Sequence, residues 1–94
     1  ALQISQEVAQ ALAERDASVR IIESARRAVE ASREALEMAA LRYAAGLTAN
    51  LDLVSAQSEL AASEETEIQA RYDRLRAEVR LARARGDVAA ALVR

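Results

Sequence analysis

The chain has no histidine, cysteine, proline or lysine, and neither phenylalanine nor tryptophan. Without histidine it lacks the commonest general base and the commonest metal ligand at once. Without cysteine it has no disulfide and no thiolate metal site, which suits an oxidising compartment as well as the cytosol. There is no glycine-rich phosphate loop, and the acids sit at helix-surface spacing that argues for no carboxylate metal site. These absences predict a protein that is not an enzyme and holds no cofactor or metal. The formal net charge of -2 gives no basic field for nucleic acid. The arginines Arg74, Arg76, Arg80, Arg83 and Arg85 cluster, but acids lie among them and stacking aromatics are missing, which argues against a nucleic-acid groove. No apolar run is long enough to span a bilayer as a helix. No basic stretch followed by an apolar one marks a signal peptide. The chain opens mid-pattern at Ala1-Leu2-Gln3-Ile4, as a piece of a longer protein would.

What is present is mostly alanine, leucine, glutamate and arginine, the composition of long helices or coiled coil. The apolar fraction of 52% overstates the available core, because alanine is about a quarter of the 94 residues. Alanine buries little area, so a globular core of the usual kind would be thin.

Two long helical patterns flank a short break. In the first, Val8, Arg15, Ile22, Val29, Leu36 and Tyr43 recur every seven residues. Ile4, Ala11, Ser18, Ala25, Ser32 and Ala39 form a companion series. Together they make an a/d seam with large residues at a and small ones at d. Ile21, Ala28 and Ala35, flanked by Ala17, Ser24, Ala31 and Met38, make a second, lighter seam, unless those alanines are only helix-promoting filler. In the second pattern, Val54, Ala61, Ile68, Leu75 and Ala82 form one series. Leu51, Ser58, Glu65, Tyr72 and Val79 form another. Ala56, Ser63, Ala70, Ala77 and Ala84 form a small-residue flank. A hairpin alone needs one seam per helix, whereas a helix held between two neighbours needs two. The spacing therefore predicts helices over about 4–45 and 50–85, a turn at 46–49, and a short segment at 87–94 after a break at Gly86.

The connection is a few residues long, so the helices are antiparallel neighbours. Gly46 is suited to the left-handed position that closes the first helix. Thr48 or Asn50 is suited to cap the second, and Asp52 in its first turn is favoured by the helix dipole. In this register Glu14 falls near Arg80, Glu23 near Arg71 and Arg27 near Glu67. Such exposed pairs are worth about 0–1 kcal/mol each and set register more than stability.

Around the break the chain reads Arg42-Tyr43-Ala44-Ala45-Gly46, then Leu51-Asp52-Leu53-Val54 and Ala56-Gln57. Ala70-Arg71-Tyr72-Asp73 and Leu81-Ala82-Arg83-Ala84-Arg85-Gly86 come downstream. In order and spacing these resemble the TolC-like outer-membrane efflux protein family from about Val8 to Gly86. The resemblance implies a trimeric channel with an outer-membrane β-barrel and a periplasmic α-barrel, of which this chain is similar to the second repeat's hairpin. The implied fold is an all-α, long antiparallel coiled-coil hairpin, a fragment of an α-barrel. The implied function is a conduit for efflux or type I secretion in the periplasm. Its tip would meet the adaptor (membrane fusion) protein and, indirectly, an inner-membrane pump.

By the same resemblance Tyr43, Gly46, Leu47 and Thr48 form the partner-binding tip. Asp52 and Ser55 lie at the channel entrance. Thr48 stands where some members carry an arginine, so an entrance closed by that ionic contact is not expected. Ser55 replaces a frequent acid, and Ala49 a frequent hydroxyl, which shifts the cap to Thr48 or Asn50. Tyr43 also reads as the last large seam residue, and Asp52 as a first-turn acid. Two other readings compete: an adaptor's own coiled-coil hairpin, whose Arg, Leu and Ser series across the turn is missing here, and a plain structural coiled coil. With two seams per helix the chain is expected to self-associate, as a trimer in the full-length family or as a dimeric four-helix bundle alone.

Overall fold

The computed structural model describes residues 2–93; the side chains of Leu2, Ile4, Ala91 and Val93 are outside the described set. Ile4 of the small-residue series, and Arg94 of the expected last segment, therefore lie outside the described residues. The fold is the expected all-α helical hairpin, built from α1 (Leu2–Ala44) and α2 (Asn50–Val93). At 1.5 Å per residue, each is about 65 Å of unbroken helix.

Gly86 does not end α2. The helix runs through it to Val93. A glycine stops a helix when its backbone turns left-handed, and Gly46 alone has positive φ among the described residues. Inside a helix glycine costs only about 1 kcal/mol relative to alanine. The run Val88-Ala89-Ala90 after Asp87 continues the pattern.

The chain forms two compact halves, Glu23–Gln69 around the turn, and Ala1–Ile22 with Ala70–Arg94. In the turn half, Ala25 and Val29 of α1 and Ala56 of α2 are buried. The hydroxyls of Ser32 and Ser63 meet across the pair at 2.9 Å. Leu36, Ala39, Leu53 and Leu60 are half-buried along the same line. In the other half Ala11, Leu81 and Ala84 make a small core, with Val8 and Leu12 packed against it. Ser18, Ile22, Ala70 and Ala77 are also buried there. The expected pair of Glu14 and Arg80 is formed, at 2.5 Å between Oε2 and Nη1.

On α1, the inward face is the a/d seam expected from its heptads. On α2 it is neither of the two heptad series that the spacing marks as seams. The buried or half-buried positions are the alanine–serine flank Ala56, Ser63, Ala70, Ala77 and Ala84, together with Leu53, Leu60, Glu67, Arg74, Leu81 and Val88. The small members of this face let Ser32 reach Ser63 and let Ala11 pack with Ala84, with Leu81 buried beside them. The large members of the other series, Leu51, Val54, Ile68, Tyr72, Leu75 and Val79, are all exposed.

One charge sits in the α1 seam. Arg15 occupies an a position, half-buried, between the buried Ala11 and Ser18. The Ser18 hydroxyl donates to the Arg15 carbonyl at 2.7 Å. Arg15 Nη2 reaches Asp16 at 3.3 Å, while its Nε is buried with no partner. A buried donor left unpaired costs about 1–3 kcal/mol. Arg15→Leu should therefore stabilise the hairpin by about 1 kcal/mol, a rise of about 4–8 °C in thermal midpoint monitored by circular dichroism. An unchanged or lower midpoint would show that the guanidinium is not a liability at this position.

Candidate functional site

The turn is fixed by its backbone. α1 closes with Ala45 N–H on Leu41 carbonyl (3.0 Å), Gly46 N–H on Tyr43 carbonyl (3.0 Å) and Leu47 N–H on Arg42 carbonyl (2.8 Å). The last two are the paired bonds of a Schellman motif, which needs a left-handed residue at Gly46. Its φ of 75° meets that need. In such motifs the residue after the glycine packs back on the last helical turn. Here that turn offers Arg42 and Leu41, and Leu41 is itself 67% exposed while Leu47 stands out at 78% exposure.

The start of α2 departs from the expected cap. Neither Thr48 nor Asn50 caps through the backbone: Asn50 is already the first helical residue, and the Thr48 hydroxyl donates to the Asp52 carboxylate. Ala49 holds the N-cap place with no side-chain acceptor, and its carbonyl takes the Asp52 N–H at 3.1 Å. Thr48 thereby ties the turn to the first turn of α2 and orients the carboxylate that its dipole favours.

Around this frame lie large apolar side chains with nothing over them. Leu41 is 67% and Leu51 73% exposed, and Tyr43 and Val54 are exposed as well. Of the expected tip residues, Tyr43, Gly46 and Leu47 are exposed and Thr48 is half-buried; Asp52 and Ser55 are exposed on the first turns of α2. Leu41 and Leu51 join this surface although the sequence does not mark them as tip residues. Leu51 belongs to a heptad series with the spacing of a seam, and only the finding that this series points outward moves it to the surface. Among the described residues no acid cluster could hold a metal ion. Away from the turn, one open groove with charged walls is lined by Glu7, Glu14, Arg80, Arg83 and Asp87.

The sequence that carries this exposed apolar turn matches the family model of the outer membrane efflux protein over residues 1–87. The chain belongs to the outer membrane efflux protein family. No curated protein and no solved structure matches it. Outer membrane efflux proteins are transport channels and not enzymes, which places this hairpin in a channel component. Among its described residues no helix is long and apolar enough to cross a membrane.

The two glycines of this efflux-family hairpin should respond to alanine with opposite sign. A Cβ at either position meets nothing within 4 Å, so only the backbone decides. Gly46→Ala forces a left-handed alanine and should cost about 1–2 kcal/mol. Gly86→Ala, in helix, should gain about 0.5–1 kcal/mol. Urea unfolding of both variants checks the pair, and a shift of the same sign in each would refute it. Ala49→Asp should supply the missing cap acceptor and stabilise by about 1 kcal/mol. No gain in the same assay would mean that Thr48 already does that work through Asp52.

Proposed function

We propose that this chain is the periplasmic α-barrel hairpin of a trimeric outer-membrane channel for efflux or type I secretion, and that its tip docks on the adaptor protein of a tripartite pump. The observation that carries this reading is the exposed apolar set Leu41, Tyr43, Leu47 and Leu51 on a turn held by three backbone hydrogen bonds. A preformed backbone loses little freedom when a partner covers it, so the exposed leucines can contribute most of their burial to binding. Gly46 makes the turn possible, Leu47 projects from it, and Thr48 braces it. Asp52 and Ser55, one helical turn further on, line the entrance. The inner-membrane pump is engaged through the adaptor, and the chain performs no catalysis of its own. The hairpins associate with one another to form the conduit wall.

Titration of the chain with adaptor hairpins, read by fluorescence anisotropy, tests the tip. Leu47→Asp should weaken binding at least tenfold, and Gly46→Pro should abolish it by removing both the left-handed turn and the amide that bonds Tyr43. Equal binding by wild type and Leu47→Asp, or no binding of any adaptor hairpin, would remove the tip from the function.

A further inference from the structure

The half of the chain formed by residues 1–22 and 70–94 holds nine arginines against six acids, whereas the turn half holds four against nine. On α2 these arginines are mostly answered close by. Arg74 pairs with Glu78, Arg76 with Asp73 and Arg80 with Glu14. Arg83 shares its groove with Glu7, Glu14 and Asp87. Arg85 differs. Among the described residues no hydrogen bond or ion pair engages it. Its neighbours one turn away on α2 are Leu81, Ala82, Val88 and Ala89, none of them charged. It stands over a separate open groove of about 300 Å³, lined also by Ser5, Val8 and Val88, and none of these is an acid. Val8 and Val88 are half-buried, while Ser5 and Arg85 are exposed. Val8 is packed on the core of Ala11, Leu81 and Ala84, so the apolar floor is in place before anything binds.

We propose that the groove under Arg85 binds a small amphipathic monoanion, a carboxylate carried on a short apolar body. A guanidinium offers two parallel N–H donors, and a carboxylate accepts both. The Ser5 hydroxyl supplies a further donor from α1. Val8 and Val88 take the apolar body out of water. The lining sets the charge of the ligand. One unpaired cation matches one anionic charge, and a dianion such as phosphate finds no second cation among Ser5, Val8 and Val88. The volume lies at the small end of ligand pockets, which limits the apolar body to a few carbon atoms. The groove of Arg80 and Arg83 is the internal contrast. It sets three acids beside its two arginines, so an anion there meets repulsion as well as attraction. None of the four residues around Arg85 belongs to the tip, so this site stands or falls separately from adaptor docking.

The probe is hexanoate at about pH 7, where a carboxyl group is ionised. Acetate serves as the anion without the body, and hexanol as the body without the anion. Each is titrated into the isotope-labelled chain and followed by amide chemical shifts, with helicity checked for every variant. Hexanoate should give saturable shifts centred on Ser5, Val8, Arg85 and Val88, and should bind about tenfold more tightly than acetate or hexanol. Inorganic phosphate should bind no better than acetate. Arg85→Gln should weaken hexanoate about tenfold, and Arg85→Lys, which keeps the charge and loses the fork, should fall between that variant and wild type. Arg83→Gln, on the other groove, should bind as wild type does. Hexanoate that gives no saturable shift, or binds no more tightly than acetate, overturns the site. Equal binding by Arg85→Gln and wild type, or shifts centred on Glu7 and Arg83, overturns it as well.

Discussion

Contact between small residues is the constraint on which the other features depend. α2 presents alanine and serine, between leucines, to the small d positions of α1, and helices that meet through small residues can approach near the lower end of ordinary helix spacing, about 8 Å. The approach lets the Ser32 and Ser63 hydroxyls meet, and packs Ala11 beside Ala84. Each alanine, however, removes little area from water. Such a hairpin cannot be short. It compensates with length, and 43 and 44 residues of helix supply many weak contacts in series. Ile68, Tyr72 and Leu75 lie on the opposite side of α2 from this contact and are more than half exposed.

How much of this is legible in the sequence differs between the helices. On α1 the large-a, small-d series names the inward face, and Ala11, Ser18, Ile22, Ala25 and Val29 are buried as that pattern requires. On α2 residue size misleads. The series with the largest side chains look like the seam, while the true one, Leu53, Leu60, Leu81 and Val88 with the alanine flank, is interrupted by Glu67 and Arg74. A charged residue in a heptad series reads as solvent-facing, yet a long side chain can lay its stem on apolar surface and keep its head in water. The glycines are ambiguous in a similar way. Gly46 and Gly86 each stand near the end of a helical pattern, and neither residue by itself tells which one turns left-handed and which stays helical. The residues on the C-terminal side of each make the difference: Leu47-Thr48-Ala49 leads into a new helix start, whereas Val88-Ala89-Ala90 continues the old one.

The tip is legible as a turn and only partly as a surface. A glycine after a helical run with a first-turn acid soon after is a strong local signal, and the Schellman bonds are its direct consequence. The exposure of Leu47 is not written in that signal. A leucine after the closing glycine ordinarily packs back on an apolar residue of the last turn. Here it stands free although Leu41 is available on that turn, and both leucines are left exposed. Likewise Ala49 removes the usual capping oxygen, and the Thr48 hydroxyl engages the Asp52 carboxylate in place of a backbone amide.

These features make the chain asymmetric in what it needs. A hairpin that met only itself would leave few large apolar residues on its outside. This one exposes Leu51, Val54, Ile68, Leu75 and Val79 on α2, at a cost, since each exposed leucine or isoleucine forgoes about 1.5–3 kcal/mol of burial. Its stability as an isolated chain is correspondingly incomplete, and any neighbour that covers the outer stripe adds to it by mass action. A globular domain would be weakened by such an arrangement. In a channel component it leaves apolar area on the outside, and each leucine that a neighbour covers there recovers that burial.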